Sequence, residues 1–196
     1  MKKAIILSLL FVVSMTIFNS CKKKSTASSS NTNPNADLLD IEVPYTKLKT
    51  LPDSIAAMQW SLPIELNDTF ATKVDEYLAT YGAGITKDKI VKIAPLSMNA
   101  TIDNANAQTL DFIDDSVKVY VDAYNGTNPR LVATKYGILP GAKSIDFTII
   151  DSDIKDYFNS EYMEFTLKFN SKINQGMLAN TTFITNIKFK ITAKKP

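Results

Sequence analysis

Apolar side chains recur at every second position through much of the chain. Met163, Phe165, Leu167 and Phe169 share one side of an extended segment, with Glu164, Thr166, Lys168 and Asn170 on the other. That alternation predicts a half-buried antiparallel strand. The same period runs through Phe183, Thr185, Ile187, Phe189, Ile191 and Ala193, and again through Val117, Val119, Val121 and Ala123. Ile145, Phe147 and Ile149 make a further run, as do Trp60, Leu62, Ile64 and Leu66. Pro63, on the outward side of this last run, places it at a sheet edge, where a missing N–H is tolerated. Asn125-Gly126 after the Val117 run is a turn signal. Leu131 to Tyr136 reads as another strand, and Ile90 to Ile102 as a long one whose phase slips at Pro95, predicting a bulge or break there.

Helical spacing is confined to two places. Thr69 to Tyr81 puts Phe70, Val74, Tyr77, Leu78 and Tyr81 on one stripe, with Asn67-Asp68 as caps and Gly82 or Gly84 as the stop. Ser152 to Phe158 reads as a short turn capped by Asp151. Many strands at irregular spacing, one short connecting helix and no βαβ rhythm predict a mainly β fold. The expected architecture is an antiparallel β-sandwich of immunoglobulin-like or Greek-key connectivity over residues 41–196, with a partly closed barrel as the alternative. Outward faces carrying Lys and Asp do not form the apolar band of a transmembrane barrel.

The amino-terminal region follows a different pattern. Lys2 and Lys3 precede an apolar run from Ala4 to Phe18, closed by Asn19-Ser20-Cys21. A run of about 15 residues is short of the roughly 20 that span a bilayer as a helix, so residues 1–20 read as a cleaved signal peptide. Ile17-Phe18-Asn19-Ser20-Cys21 is similar to the lipobox of bacterial lipoproteins, with Ser20 directly before the cysteine. The following Lys22-Lys23-Lys24 resembles lipoproteins of the Bacteroidota. Phe18 and Asn19 depart from the commonest form of the box. The resemblance implies cleavage before Cys21, a diacylglyceryl thioether on its sulfur and acylation of the new amino terminus, which together anchor firmly where one chain would not. It also implies an outer-membrane protein on the periplasmic face, since Lys22 follows the cysteine and no acidic surface-export motif is present. Residues 21–40 form a linker rich in Ser, Thr, Asn and Lys that buries too little apolar surface to order itself. As a flexible coil it spans roughly 24 Å.

Composition narrows the chemistry. The chain has no histidine and one cysteine, so Ser-His-Asp and Cys-His catalysis and histidine-ligated zinc or non-haem iron are ruled out in their usual forms. The net charge of +2 hides an asymmetry: five lysines and two acids up to Asp40 give +3, and the remaining 17 basic and 18 acidic residues give −1. A near-neutral body argues against a nucleic-acid partner.

Candidate ligand residues are Tyr120, Asp122 and Tyr124, which the period places on the outward face of the Val117 strand. Aromatics beside a carboxylate can stack on and hydrogen-bond a sugar; cross-strand pairing on a solvated face is the simpler role. Asp151, Asp153 and Asp156 have the Asp-x-Asp start of a calcium loop but lack the glycine and distant glutamate of an EF-hand, so capping and solvated charge are expected there. Asp111, Asp114 and Asp115 form a similar group. Trp60 is expected in the core. Lys188, Lys190 and Lys194, with Lys168 alongside, make a basic row suited to anionic lipid or polysaccharide, or to shielding an edge strand. Asp53-Ser54-Ile55 and Asp115-Ser116-Val117 resemble the O-glycosylation signal of the Bacteroidota.

These observations lead to a lipid-anchored envelope protein with a binding or structural module, no catalytic residues and no cofactor. The expected partners are the membrane, through Cys21, and a glycan or another envelope protein. A carboxylate-dependent glycan hydrolase, which needs only two well-placed acids, is the alternative, as is a subunit of a larger envelope complex.

Overall fold

A computed structural model describes residues 37–50, 59–82, 84–103, 107–150, 152–178 and 181–196, with the side chains of residues 45–50 and 81 outside the description. Among the described residues, nine strands form two antiparallel sheets facing each other across one core. The strands are β1 (Leu38–Thr50), β2 (Pro63–Ala71), β3 (Ile90–Asp103), β4 (Ile113–Ala123), β5 (Arg130–Tyr136), β6 (Ser144–Asp146), β7 (Thr148–Ile149), β8 (Tyr162–Ser171) and β9 (Thr182–Lys194). One sheet runs β1-β9-β3-β6 and the other β2-β8-β4-β5-β7. Among the described strands, only β4 and β5 form a simple hairpin; most other connections cross from one sheet to the other. This is the β-sandwich with crossing connections that the alternating pattern predicts.

The period-2 rows fold as predicted where one face is buried. Met163, Phe165, Leu167 and Phe169 on β8 and Phe183, Thr185, Ile187, Phe189, Ile191 and Ala193 on β9 all point into the core. Phe112, Phe169 and Phe183 meet with ring centroids 5.8 to 6.2 Å apart, closing the interior near the β8–β9 loop. β2 is an edge strand, as Pro63 indicates. β3 passes Pro95 as one strand with a register shift between Pro95 and Ser97, so the phase slip is a bulge and not a break.

Several expectations are corrected. The helix, α1, runs only from Val74 to Tyr81, because Thr69–Ala71 continue β2 and pair with β8. Phe70 satisfies both periods, and the ladder to Met163 wins. Asn67 and Asp68 therefore lie inside a strand and cap nothing; Lys73, at φ 47°, occupies the N-cap position, and Gly82 ends the helix by donating its N–H to the Leu78 carbonyl at 2.8 Å. The Ile145–Ile149 run is two short strands in different sheets, β6 on β3 and β7 on β5, with the chain switching sheets at Phe147. Residues 38–40, read as linker, are the first residues of β1, with Leu38 opposite Lys194. Trp60 precedes β2 and is 61% exposed, not a core residue. The Ser152–Phe158 turn is a 3₁₀ segment at Lys155–Asn159; its expected cap, Asp151, lies outside the described residues.

Candidate functional site

The site builds on the outer face of the β2-β8-β4 sheet. In register, Thr69, Glu164 and Asp122 form one cross-strand row, Asn67, Thr166 and Tyr120 the next, and Glu65, Lys168 and Lys118 a third. These are the polar halves of the alternating strands, directed away from the core by the pleat. Between β2 and β4 they line a groove of about 480 Å³, bordered at one end by Gly126 and Pro129 of the β4–β5 turn. A second hollow of about 220 Å³, sharing Glu65 and Lys168 and including Tyr120, extends it toward Asn170.

Asp122 holds the turn end together. Its Oδ1 accepts from the Ala123 N–H at 2.7 Å and its Oδ2 from the Asn128 N–H at 2.9 Å. Two backbone donors of a tight turn thus find an acceptor they would otherwise lack. The turn folds back far enough that Asp122 is only 7% exposed. The residue lies on the outward face that the period predicts, and it is covered there. Gly126 is required for this closure, since a Cβ there would overlap the Asp122 carboxylate and come within 2.8 Å of the Ala123 carbonyl oxygen.

The two tyrosines separate. Tyr120 is half-buried, with the Lys168 ammonium 5.4 Å from its ring centroid. Tyr124 is 53% exposed and lies against Tyr162, centroids 6.1 Å apart, rather than against Tyr120. Lys168 Nζ is also 2.8 Å from Glu65 Oε1, and Glu164 Oε1 accepts from the Asn125 N–H at 3.2 Å. Asp68 Oδ1 accepts from the Thr69 N–H at 2.8 Å. The groove therefore presents carboxylates that are already oriented by their neighbours. It can accept hydrogen bonds from hydroxyls or ammonium groups, and it disfavours anions.

The acidic triplet serves the fold in another way. Asp153 Oδ1 accepts from Ile93 N at 3.2 Å and Lys155 N at 3.0 Å, capping an N–H on the open side of β3 that β6 does not reach. Its backbone carbonyl accepts from the Arg130 guanidinium. Asp156 is exposed in the 3₁₀ segment, and Asp151 lies outside the described residues. Among the described residues, no three His, Cys, Asp or Glu side chains converge as a metal would need. Asp111 accepts from the Gly141 N–H at 2.7 Å and the Thr109 hydroxyl at 2.8 Å, which together hold its carboxyl below the ordinary value.

The lysine row is split. Lys188 pairs with Glu42 at 3.0 Å and Lys190 with Asp40 at 3.5 Å across β9 and β1, while Lys168 is on the other sheet. Asp40 is held below its ordinary value first by the Thr192 hydroxyl and then by Lys190. β9 lies between β1 and β3, so its lysines do not shield an edge. Ser116, of the second glycosylation signal, is half-buried within β4; the first signal and Cys21 lie outside the described residues. Alternation alone does not join Glu65, Asn67, Asp68, Glu164 and Lys168 into one groove; the β2–β8 and β8–β4 registers bring those rows together.

No family model matches the chain, and no curated protein matches it at a significant level. A solved structure of Desmodium yellow mottle tymovirus matches over 89% of this chain and 97% of that chain, at 11% identity and a TM-score of 0.30. A superposition this loose carries no argument. Among the described residues no helix is long and apolar enough to cross a membrane.

Proposed function

We propose that the chain is a lipid-anchored envelope protein, held at the periplasmic face of the outer membrane through Cys21, whose β-sandwich is a binding or structural module. The supporting observation is the order of parts: a cysteine closing an apolar run, a polar spacer, and then a folded unit whose first strand begins at Leu38. The groove acids favour binding over catalysis, because each is engaged by a backbone N–H or by Lys168. A neutral polyhydroxylated ligand such as a glycan suits their acceptor-rich chemistry.

Cells fed labelled palmitate are expected to label the wild-type protein and not Cys21→Ser; an unlabelled wild type would overturn the anchor. The competing reading is a carboxylate-dependent glycan hydrolase, favoured by the gathering of Glu65, Asp68, Asp122 and Glu164 around one groove. Release of reducing ends from envelope polysaccharide, abolished in Glu164→Gln and in Glu65→Gln, would replace the binding reading with that one.

A further inference from the structure

The sandwich closes its edges unevenly. On one side the chain switches sheets at Phe147, and the Ile93 N–H and carbonyl of β3 are met by Asp153 Oδ1 at 3.2 Å and by the Ile154 N–H at 2.8 Å. On the other side β1 and β2 end their sheets, each paired along one flank alone among the described residues. An unpaired strand edge is a template for another strand, so it needs either a guard or a partner.

The bonds at either end of β2 show which of its groups face outward. The Leu62 carbonyl accepts from the Ser171 N–H at 2.7 Å and the Thr72 N–H donates to the Glu161 carbonyl at 2.9 Å, with an unbroken register from Pro63 to Ala71 between them. An antiparallel ladder alternates bonded and non-bonded pairs, so Ile64, Leu66, Asp68 and Phe70 turn their backbone groups to β8. Pro63, Glu65, Asn67 and Thr69 turn theirs to the open edge. Two of these four are guarded. Pro63 has no N–H, and the Thr69 N–H is taken by Asp68 Oδ1 at 2.8 Å, which also sets the Asp68 carboxylate on the edge beside it. A window from Glu65 to Asn67 is left, with two N–H donors and two carbonyl acceptors that have no partner among the described residues.

The window is complementary to itself. A two-fold axis at Leu66 sets Glu65 of one copy opposite Asn67 of the other, twice over, and the two pairs exchange four backbone hydrogen bonds that use every donor in both windows. An axis at Glu65 would oppose two carboxylates, and one at Asn67 would bring Glu65 against the blocked Thr69; either leaves one complete bonded pair in place of two. With the axis at Leu66, the two Leu66 side chains meet at the close, non-bonded position on the core face, and on the outer face the Asn67 amide can donate to the Glu65 carboxylate. β1 offers no such match. The Asp37 carbonyl accepts from the Lys195 N–H at 2.9 Å, so Asp40 and Glu42 face the open edge of β1, and a two-fold between them at Ile41 would oppose acid to acid. We propose that β2 pairs with β2 of a second copy about a two-fold axis at Leu66, joining two five-stranded sheets into one. The outer-face grooves of the two copies then open on the same side, with their β8 strands about 14 Å apart. This pairing depends neither on the anchor nor on what the grooves bind.

The test uses full-length chains in cells. Two differently tagged copies, one with Glu65→Cys and one with Asn67→Cys, are co-expressed and treated with a thiol oxidant. Opposed residues of a bonded pair lie about 5.5 Å apart at Cα, within disulfide range. A disulfide-linked pair carrying both tags is expected, about tenfold above that from Asp146→Cys with Asn67→Cys, since Asp146 lies on β6 at a far edge. A second arm removes a donor that the fold does not use. The Asn67 N–H points away from β8, so Asn67→Pro should leave the thermal midpoint nearly unchanged. In detergent extracts the wild-type mass should rise with concentration toward two copies, while Asn67→Pro stays at one. Asn67→Glu keeps the donor but opposes two acids, so it should weaken association several-fold, and adding Glu65→Gln should restore it; this arm decides if Asn67→Pro does not fold. No doubly tagged pair, an equal yield from the Asp146→Cys control, a wild type that stays at one copy, or a folded Asn67→Pro chain that still pairs would overturn the proposal.

Discussion

At the end where β1 begins, the 124–129 turn folds back over Asp122, Tyr124 lies against Tyr162, and Phe158 packs edge-on to Phe189 at 5.2 Å. At the opposite end, loops that are also held by backbone hydrogen bonds leave Leu139 74% exposed and Trp60 61% exposed. Exposure of apolar side chains is thus not a sign of a loose backbone in this protein. The first end spends its polar groups on closing over itself, and the second uses them to hold outward-facing loops in place. A substitution should therefore cost more stability at the first end than at the second.

The largest effect is expected from Asp122→Ala. Removing a buried carboxylate that accepts from Ala123 and Asn128 strands two backbone donors, at about 2–4 kcal/mol in urea unfolding. Asp122→Asn keeps one acceptor oxygen and should cost less. If both variants unfold like the wild type, the turn is not what Asp122 holds, and the contrast between the ends fails.

The next effect is on the loop end and depends on pH. The Gly141 N–H, and then the Thr109 hydroxyl, hold the Asp111 carboxyl lower in the folded chain than in the unfolded one. Its contribution is therefore fully present above the unfolded value of about 4 and is lost as pH falls through the lower folded value. Amide exchange at Gly141, corrected for its intrinsic pH dependence, should accelerate only in that acidic window; acceleration already at pH 5 to 6 would show that another group sets the loop. Lys188→Ala should have the smallest effect. Its partner Glu42 is 3.0 Å away and both side chains are about half exposed, so the change should stay within about 0.5 kcal/mol. A larger loss would mean that the β1–β9 ion pairs support the fold more than their exposure implies.

How far the sequence could be read follows the same division. β4, β8 and β9 are legible because each buries one face, and a one-residue slip would turn every apolar side chain outward. The sheet switch at Phe147 is not, since Ile145, Phe147 and Ile149 all turn toward the core between the sheets and alternation cannot say which ladder each joins. Trp60 fits the period of Leu62 and Leu66, but the strand starts only at Pro63, and the period carries no information on where pairing begins. Strand β1 is hard to read because its alternation through Leu39, Ile41 and Val43 is short, follows a polar segment and is interrupted by Pro44, although Ile41 and Val43 are buried. For the candidate site, periodicity placed Asp122 on the correct face and could not foresee that a turn would fold over it.

Strand β1 enters opposite Lys194 and runs antiparallel to β9 as far as Thr50, opposite Phe183. A pull applied between its amino terminus and the far loops would run along both strands, while the hydrogen bonds of the ladder stand across them. The bonds would then share the load in shear instead of peeling apart one at a time. A sandwich built this way resists extension most along the line of β1 and β9.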